Sequence, residues 1–431
     1  MKRIRAKHIA IIAVVVAIVS IIAIKPSDIG GSYDPYFSGI NDALKKAGIA
    51  RPCIILDLDR VDHNIALVTQ HLTPPLQYRI VAKSLPSEEL LKYIMEKAGT
   101  RKIMGFHQPF LPILVEKLGE VDILLGKPLL VEAVEDFFEE IPQERHGEAS
   151  RKIQWLVDSE GRLKKYLLFA KTNNLPLRIN IEIDIGLHRG GVRDTDELGR
   201  LLEIIASNPE HLEFTGFMGY EAHVVHAPPI ISSVPKAFKR AMDKYKEFYD
   251  YGRENYPALF EGDLTFNSGG SKTYRLFTKD PPVNDIAAGS CMVKPSTFAG
   301  LEDHLPALFI AAPIIKKKEG LQVAFLDSVS GLIGWWNPNM AESYYLYGGG
   351  WAADIVSPPG VRANALTAYK PNENLLPNQS LYNSSKSVPI EEGDFVFFHP
   401  DQGDAMSQFE EIIVMRDNRI VDRWESFSKK Y

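Results

Sequence analysis

The sequence predicts an α/β fold, a closed (β/α)8 TIM-type barrel with a C-terminal β-rich domain, preceded by an N-terminal hydrophobic helix. Three observations carry this. From residue 77 short β-rich runs alternate with segments of helical period. Eight such runs fit between residues 77 and 290, a length that suits a closed barrel better than an open doubly wound sheet. After Gly300 the pattern changes to β-branched and aromatic runs separated by Gly, Pro and Asn.

The barrel strands are expected in QYRIVAK (77–83), RKIMGF (101–106), VDILLG (121–126), IQWLVDS (153–159), LRINIEIDIG (177–186), LEFTGFMGY (212–220), LTFNSGG (264–270) and VNDIAAGS (283–290). Helices are expected between them, among others over 87–99, 195–209 and 235–255. ALFIAAPIIKK, LQVAFLD, DFVFFH and EIIVMRD read as strands of the second domain. RPCIILDLDRVDHNI (51–65) joins a strand to a helix start with Asp59 as its cap, and either completes the β domain or enters the barrel. The expected organisation is therefore a segment 1–30, a barrel 51–300 and a β domain 301–431.

Composition narrows the function classes. A chain of 431 residues, 45% hydrophobic and 24% charged, has the makings of two cores and no bias toward disorder. Its 49 basic and 55 acidic residues are dispersed, giving a net charge of -6 and no basic face for nucleic acid. Cys53 and Cys291 stand far apart in apolar contexts, which argues against a disulfide framework or a thiolate metal site. Lys2, Arg3, Arg5 and Lys7 precede an apolar run over residues 9–24, broken only by Ser20. This reads as an export signal or a membrane anchor, and the absence of a small-x-small cleavage site favours the uncleaved anchor. With the basic flank kept cytoplasmic, the catalytic body is expected on the extracytoplasmic side.

A barrel builds its active site at the carboxyl ends of its strands, and the unusual residues fall there. Lys83 closes the first run, Arg189 follows the fifth, and Tyr220, His223 and His226 follow the sixth. Ser268, Gly269, Gly270 and Ser271 follow the seventh, and Ser290 ends the eighth. A lysine ending an apolar strand is either solvated or, inside a pocket, an amine able to form a Schiff base with an aldehyde. The NSGGS segment makes a plain turn or a set of unhindered backbone N–H groups and small hydroxyls suited to a phosphate. Arg189 is a surface residue of a glycine turn or a fixed cation at the barrel mouth. In FFHPDQGD, His399 and Asp401 share one face of an extended segment and can offer nitrogen and oxygen to a divalent ion. The same letters also make a Pro-Asp-Gln-Gly turn.

These motifs, in this order over residues 50–425, resemble the fold-type III pyridoxal-phosphate enzymes, in the branch of D-threonine aldolase and D-serine dehydratase. RPCIILDLDRVDHNI resembles the opening strand and helix, RIVAKSL the cofactor-lysine strand and IEIDIGLHRGGV the arginine-bearing turn. GYEAHVVH, FNSGGSKTY, DIAAGSCM and FFHPDQGD follow in the family's order. The resemblance implies that Lys83 is the Schiff-base lysine, Arg189 the partner of the pyridine nitrogen and Tyr220 a neighbour of the cofactor ring. It implies further that Ser268, Gly269, Gly270 and Ser290 surround the phosphate, that His226 is the general base, and that His399 and Asp401 bind Mn2+, Mg2+ or Zn2+.

The implied activity is metal-assisted cleavage of a D-3-hydroxy amino acid to glycine and an aldehyde, because the aldolases of this branch share Asp as second ligand where the dehydratases have Cys. D-serine dehydratase-like deamination is the alternative within the branch. An amino-acid racemase, using a tyrosine such as Tyr344, Tyr345 or Tyr347 from a partner chain, and a non-enzymatic pyridoxal-phosphate carrier are the others. A homodimer with a small amino-acid substrate is the expected assembly.

Overall fold

The computed structural model describes residues 22–279, 282–298, 300–326, 328–364 and 378–427. They divide into two compact units, one of residues 56–308 with 402–414 and 423–427, the other of residues 22–55 with 309–401 and 415–422.

The first unit is a closed barrel of parallel strands: β2 (Gln77–Val81), β3 (Lys102–Gly105), β4 (Asp122–Leu125), β5 (Ile153–Val157), β6 (Leu177–Ile183), β7 (Leu212–Gly219), β8 (Thr265–Ser268) and β9 (Asp285–Ala288). Every expected barrel run becomes a strand, and the ring closes where Gln77 to Ile80 of β2 pair with Asp285 to Ala288 of β9. The strands end earlier than their sequence runs, because the chain turns as soon as it leaves the sheet. Val81 ends β2 and residues Ala82–Ser84 form a 3-10 turn, so Lys83 stands on the turn above the strand.

The intervening helices follow from local chemistry. Glu88–Ala98 begins at Ser87, whose hydroxyl accepts the Leu90 amide, and ends at Gly99, where φ is +63°. Val234–Asn255 carries proline in its first turn, where no amide donor is needed. Leu58–His71 is capped by Asp57, which accepts the amides of Asp59 and Arg60 at 2.9 and 3.2 Å. The expected cap, Asp59, instead lies in the first turn, since the helix starts at Leu58; its charge still favours the positive end of the helix.

The barrel interior departs from the usual apolar layers. Arg79 of β2 is 0% exposed. Its Nε and Nη2 donate to the Asp285 carboxylate at 2.7 and 2.9 Å, and Nη2 also donates to Asp122 at 2.7 Å. Its Nη1 donates to the carbonyls of Ile103 and Asp122 at 3.0 and 2.9 Å. Gln154 donates to Asp122 at 2.8 Å and to Thr265 at 3.0 Å, Asn180 donates to Gln154 at 3.2 Å, and Asn267 donates to Asp285 at 2.6 Å. One hydrogen-bonded plug thus joins seven of the strands.

The second unit is built on a sheet that has nine strands among the described residues. Its path runs β13 (Arg362–Ala363), β14 (Gln379–Ser384), β11 (Glu342–Tyr347), β10 (Leu308–Glu319), β1 (Cys53–Asp57), β16 (Glu411–Arg416) and β17 (Arg419–Glu425). β15 (Phe395–Pro400) pairs with both β10 and β12 (Ala353–Ser357). The 51–65 run therefore gives its strand to this sheet. The helix Pro35–Lys46 is pinned through Asn41 and Lys45, which donate to Asp394 at 3.1 and 2.6 Å, and through Phe37, whose ring lies 4.9 Å from that of Phe397. The expected strand LQVAFLD does not form among its described residues. Phe325 there is fully turned out, 98% exposed, with φ at +70°, a conformation that breaks an extended run.

The expected N-terminal anchor lies almost entirely outside the described residues. Among those described, no helix is long and apolar enough to cross a membrane. This corrects the membrane-anchored, extracytoplasmic placement expected from the basic flank and the apolar run over residues 9–24.

Replacing Arg79 with Met removes the nearer of two cations from the buried Asp285 carboxylate and leaves it only Lys102 at 3.4 Å, and is expected to cost about 3–5 kcal/mol of stability in chemical denaturation. Acid should act on the same network. Burial alone pushes the Asp122 carboxyl up, but Arg79 and Arg178 outweigh it and hold the group below its ordinary 3.8. Its contribution is therefore complete above that value and is withdrawn as pH falls further; an acid titration of melting temperature, flatter in Asp122→Asn, checks this.

Candidate active site

The carboxyl ends of the barrel strands enclose a pocket of about 430 Å³, within the range usual for small-molecule sites. Lys83, Arg189, Tyr220, His226, Gly269, Gly270 and Ser290 all line it. Ser268 does not; it is fully buried. His223 lines a different pocket of the same unit. His399 and Asp401 belong to the sheet unit, His399 on β15 and Asp401 just beyond it, its amide donating to the Ala352 carbonyl at 2.9 Å.

Lys83 is half-buried and its ammonium makes no ion pair among the described residues. Lysines that serve only the fold usually reach solvent or a carboxylate; this one reaches a pocket. The turn that carries it is tied to the β9 loop, where the Ser290 hydroxyl donates to that of Ser84 at 2.8 Å. Gly289 is required next to it: a Cβ there would lie 2.7 Å from the Val81 carbonyl oxygen.

Arg189 rides on the turn after β6. Asp184 organises that turn, accepting the amides of Gly186 and His188 at 2.9 and 3.0 Å and the His188 Nδ1 at 2.8 Å. These bonds offset the cost of a left-handed His188, whose φ is +56°. Mutual backbone bonds of 2.9 Å, from Asp184 to Val192 and from Val192 to Glu182, close the loop. The Arg189 guanidinium then stands 5.0 Å from the centroid of the Tyr220 ring, a cation–π contact. Burial, with the charge of Glu221 behind it, pushes the Tyr220 phenol above its ordinary value and keeps it a neutral hydroxyl.

The glycine-rich loop after β8 is held by a residue that sequence reasoning passed over. Glu221 is 0% exposed and accepts the Ser268 hydroxyl, the Gly269 amide at 3.0 Å and the Thr273 hydroxyl. Ser271 ties the same loop to its neighbour by accepting the amides of Gly289 and Cys291 at 3.2 and 3.0 Å. Ser268, Gly269 and Ser290, expected as phosphate donors, thus have those hydroxyl or amide protons engaged within the protein. The amides of Gly270 and Ser271 have no partner among the described residues. A Cβ at Gly270 would meet the Tyr220 ring at 3.0 Å, so the bare backbone is needed for the loop to approach that ring. Buried Cys291 offers no thiolate, its thiol being pushed up to about 12 by burial.

A pyridoxal phosphate fits this arrangement: an amine without a counter-ion, two unengaged amides on a glycine loop, and a fixed cation on the opposite loop. A metal centre is less complete. Among the described residues no group of three or more His, Cys, Asp or Glu could hold a metal ion, so His399 and Asp401 supply at most two ligands where divalent ions take four to six.

Two carboxyls give tests of this geometry. Glu221→Leu strands buried donors and is expected to cost about 1–3 kcal/mol for each one left unpaired, measured by denaturation. Glu182, buried at the end of β6, has its carboxyl pushed up to about 7 by burial against the pull of Arg189. Such a group favours the fold below its ordinary 4.5 and ceases to do so as pH rises through about 7. Melting temperature should accordingly fall less between pH 5 and 8 in Glu182→Gln than in the parent.

Residues 56–259 match the family model of the alanine racemase N-terminal domain. No curated protein matches the sequence. Among solved structures, D-threonine aldolase from Filomicrobium marinum superposes with a TM-score of 0.63 at 15% identity, over 88% of this chain and 95% of that one. D-threo-3-hydroxyaspartate dehydratase from Delftia sp. HT23 gives 0.62 at 17% identity, over 87% and 97%. Alanine racemase from Bacillus anthracis with bound L-Ala-P gives 0.64 at 13% identity, over 89% and 99%. Identities this low speak for the fold alone. With its barrel strands, its accompanying sheet and a segment 56–259 similar to the alanine racemase N-terminal domain, the chain has the fold of the fold-type III pyridoxal-phosphate enzymes.

Proposed function

We propose that the protein is a pyridoxal-phosphate-dependent lyase acting on D-3-hydroxy amino acids and releasing glycine and an aldehyde. The observation that carries the cofactor reading is Lys83, an amine without an ion pair in the pocket that also holds Gly270, Ser271 and Arg189. Bound there, pyridoxal phosphate supplies an electron sink for charge that develops at the substrate α-carbon. Lys83 would be the covalent attachment point, the amides of Gly270 and Ser271 would hold the phosphate end, and Arg189 would supply a permanent cation to the ring.

His226, at the exposed rim of the pocket, accepts the proton of the substrate 3-hydroxyl through a ring nitrogen. As that proton leaves, the Cα–Cβ bond breaks, the former 3-carbon departs as an aldehyde, and the α-carbon takes a proton to become glycine. Deamination is the competing outcome if the Lys83 amine removes the α-proton and the hydroxyl leaves instead. The H-x-D motif at His399 and Asp401 is what favours the aldol direction. Racemisation is the second reading, favoured by the matched alanine racemase domain.

The test is a visible absorbance spectrum of the purified chain with pyridoxal phosphate, followed by D-threonine, in the presence of Mn2+ or of a chelator. The cofactor band should appear in the parent and be absent in Lys83→Ala, and acetaldehyde should be released. His226→Ala should lower kcat by about 10²–10⁴-fold with KM little changed. A band with no aldehyde discards the aldolase; no band discards the cofactor. Acetaldehyde formation that survives the chelator removes the metal role of His399 and Asp401.

A further inference from the structure

A second pocket of the barrel unit, of about 510 Å³, is formed by the Asp184–His188 turn, Arg193, His223 and one face of the helix Val234–Asn255. Arg240 and Lys244 stand one turn apart on that face, above Ala237 and Ala241, whose small side chains leave the space open. Two arginines, Arg193 and Arg240, with Lys244 and two imidazoles, His188 and His223, therefore line one concavity.

Among the described residues the only carboxylate in the lining is Asp184, and it is already engaged by two amides and by His188. Lys244 has an outward partner in Glu247 at 2.8 Å. The guanidiniums of Arg193 and Arg240 have no carboxylate partner among the described residues. The Nδ1 of His223 is shielded from solvent and has no hydrogen-bond partner among them, although a buried polar atom is ordinarily paired. Unbalanced positive charge around a concave space, with an orphaned imidazole nitrogen in its wall, is complementary to an anion.

We propose that this pocket binds the phosphate group of a small phosphorylated molecule. Donors arrive from Arg193, from the His223 ring and from the helix, and a tetrahedral oxyanion presents oxygens to all three where a planar carboxylate serves fewer. Arginine forks match phosphate oxygens two at a time. The pocket wall and Arg189 belong to the same closed loop, so an occupant braces the segment that carries Arg189. Binding itself does not depend on the cofactor reading; only this bracing effect does.

The experiment is calorimetric titration of the full chain, loaded with pyridoxal phosphate so that the glycine loop is filled, with inorganic phosphate at low ionic strength. The parent should bind phosphate saturably. The double variant Arg193→Ala, Arg240→Ala should bind it at least about tenfold more weakly, while Arg200→Ala, an exposed arginine paired with Glu160, should leave it unchanged. Both target arginines are exposed, and melting curves establish that the double variant is folded. No saturable binding, or equal binding in parent and double variant, overturns the proposal, as does a preference for malonate over phosphate. If the cofactor fails to load, the functional reading falls, and the same parent-minus-variant difference in the unloaded chain still decides this one.

Discussion

A guanidinium buried inside the barrel is the constraint on which the rest depends. Arg79 on the first barrel strand grips Asp285 on the last and Asp122 on the third, and so joins the two ends of the ring at one register. A hydrophobic layer of the same volume would pack nearly as well at neighbouring registers; a charge that must meet two carboxylates would not. The register matters because it is read out at the opposite end of the same strands. The β2 turn with Lys83 and the β9 loop with Ser290 meet in a hydroxyl–hydroxyl bond of 2.8 Å only if their strands are in phase.

Acidic residues recur as scaffolding for backbone. Asp57 caps a helix, Asp184 folds the Arg189 turn and Glu221 holds the glycine loop. In each case one side chain with several lone pairs gathers donors that a loop cannot satisfy with its own carbonyls. The site is therefore positioned by negative charge set behind it, while the residues that face the pocket are left with amides, an amine and a guanidinium.

The strands of the barrel were legible because their β-branched runs alternate with helical period over a length that a closed ring requires. Cap positions were legible to within two residues, Asp57 in place of Asp59, since two aspartates flank the same helix start. What escaped was long-range pairing. Nothing local marks Glu221 as the acceptor for Ser268, which lies 47 residues on, or Arg79 as the partner of Asp285, 206 residues away. The motif GYEAHVVH drew attention to its rings, and the structure divides them: Tyr220 and His226 line one pocket, His223 another. In LQVAFLD the β propensity was genuine, but propensity is decided by the partners a strand finds. The apolar run at the amino terminus spoke of hydropathy alone, and no membrane-crossing helix is found among the described residues.

The glycine loop gains a kinetic character from the carboxylate behind it. With Glu221 fixing Ser268, Gly269 and Thr273, the loop holds its shape before any ligand arrives, and little ordering entropy remains to be lost on binding. A preorganised loop of this kind favours long residence of whatever ligand it takes, because differences in affinity are expressed mainly in how slowly the ligand leaves.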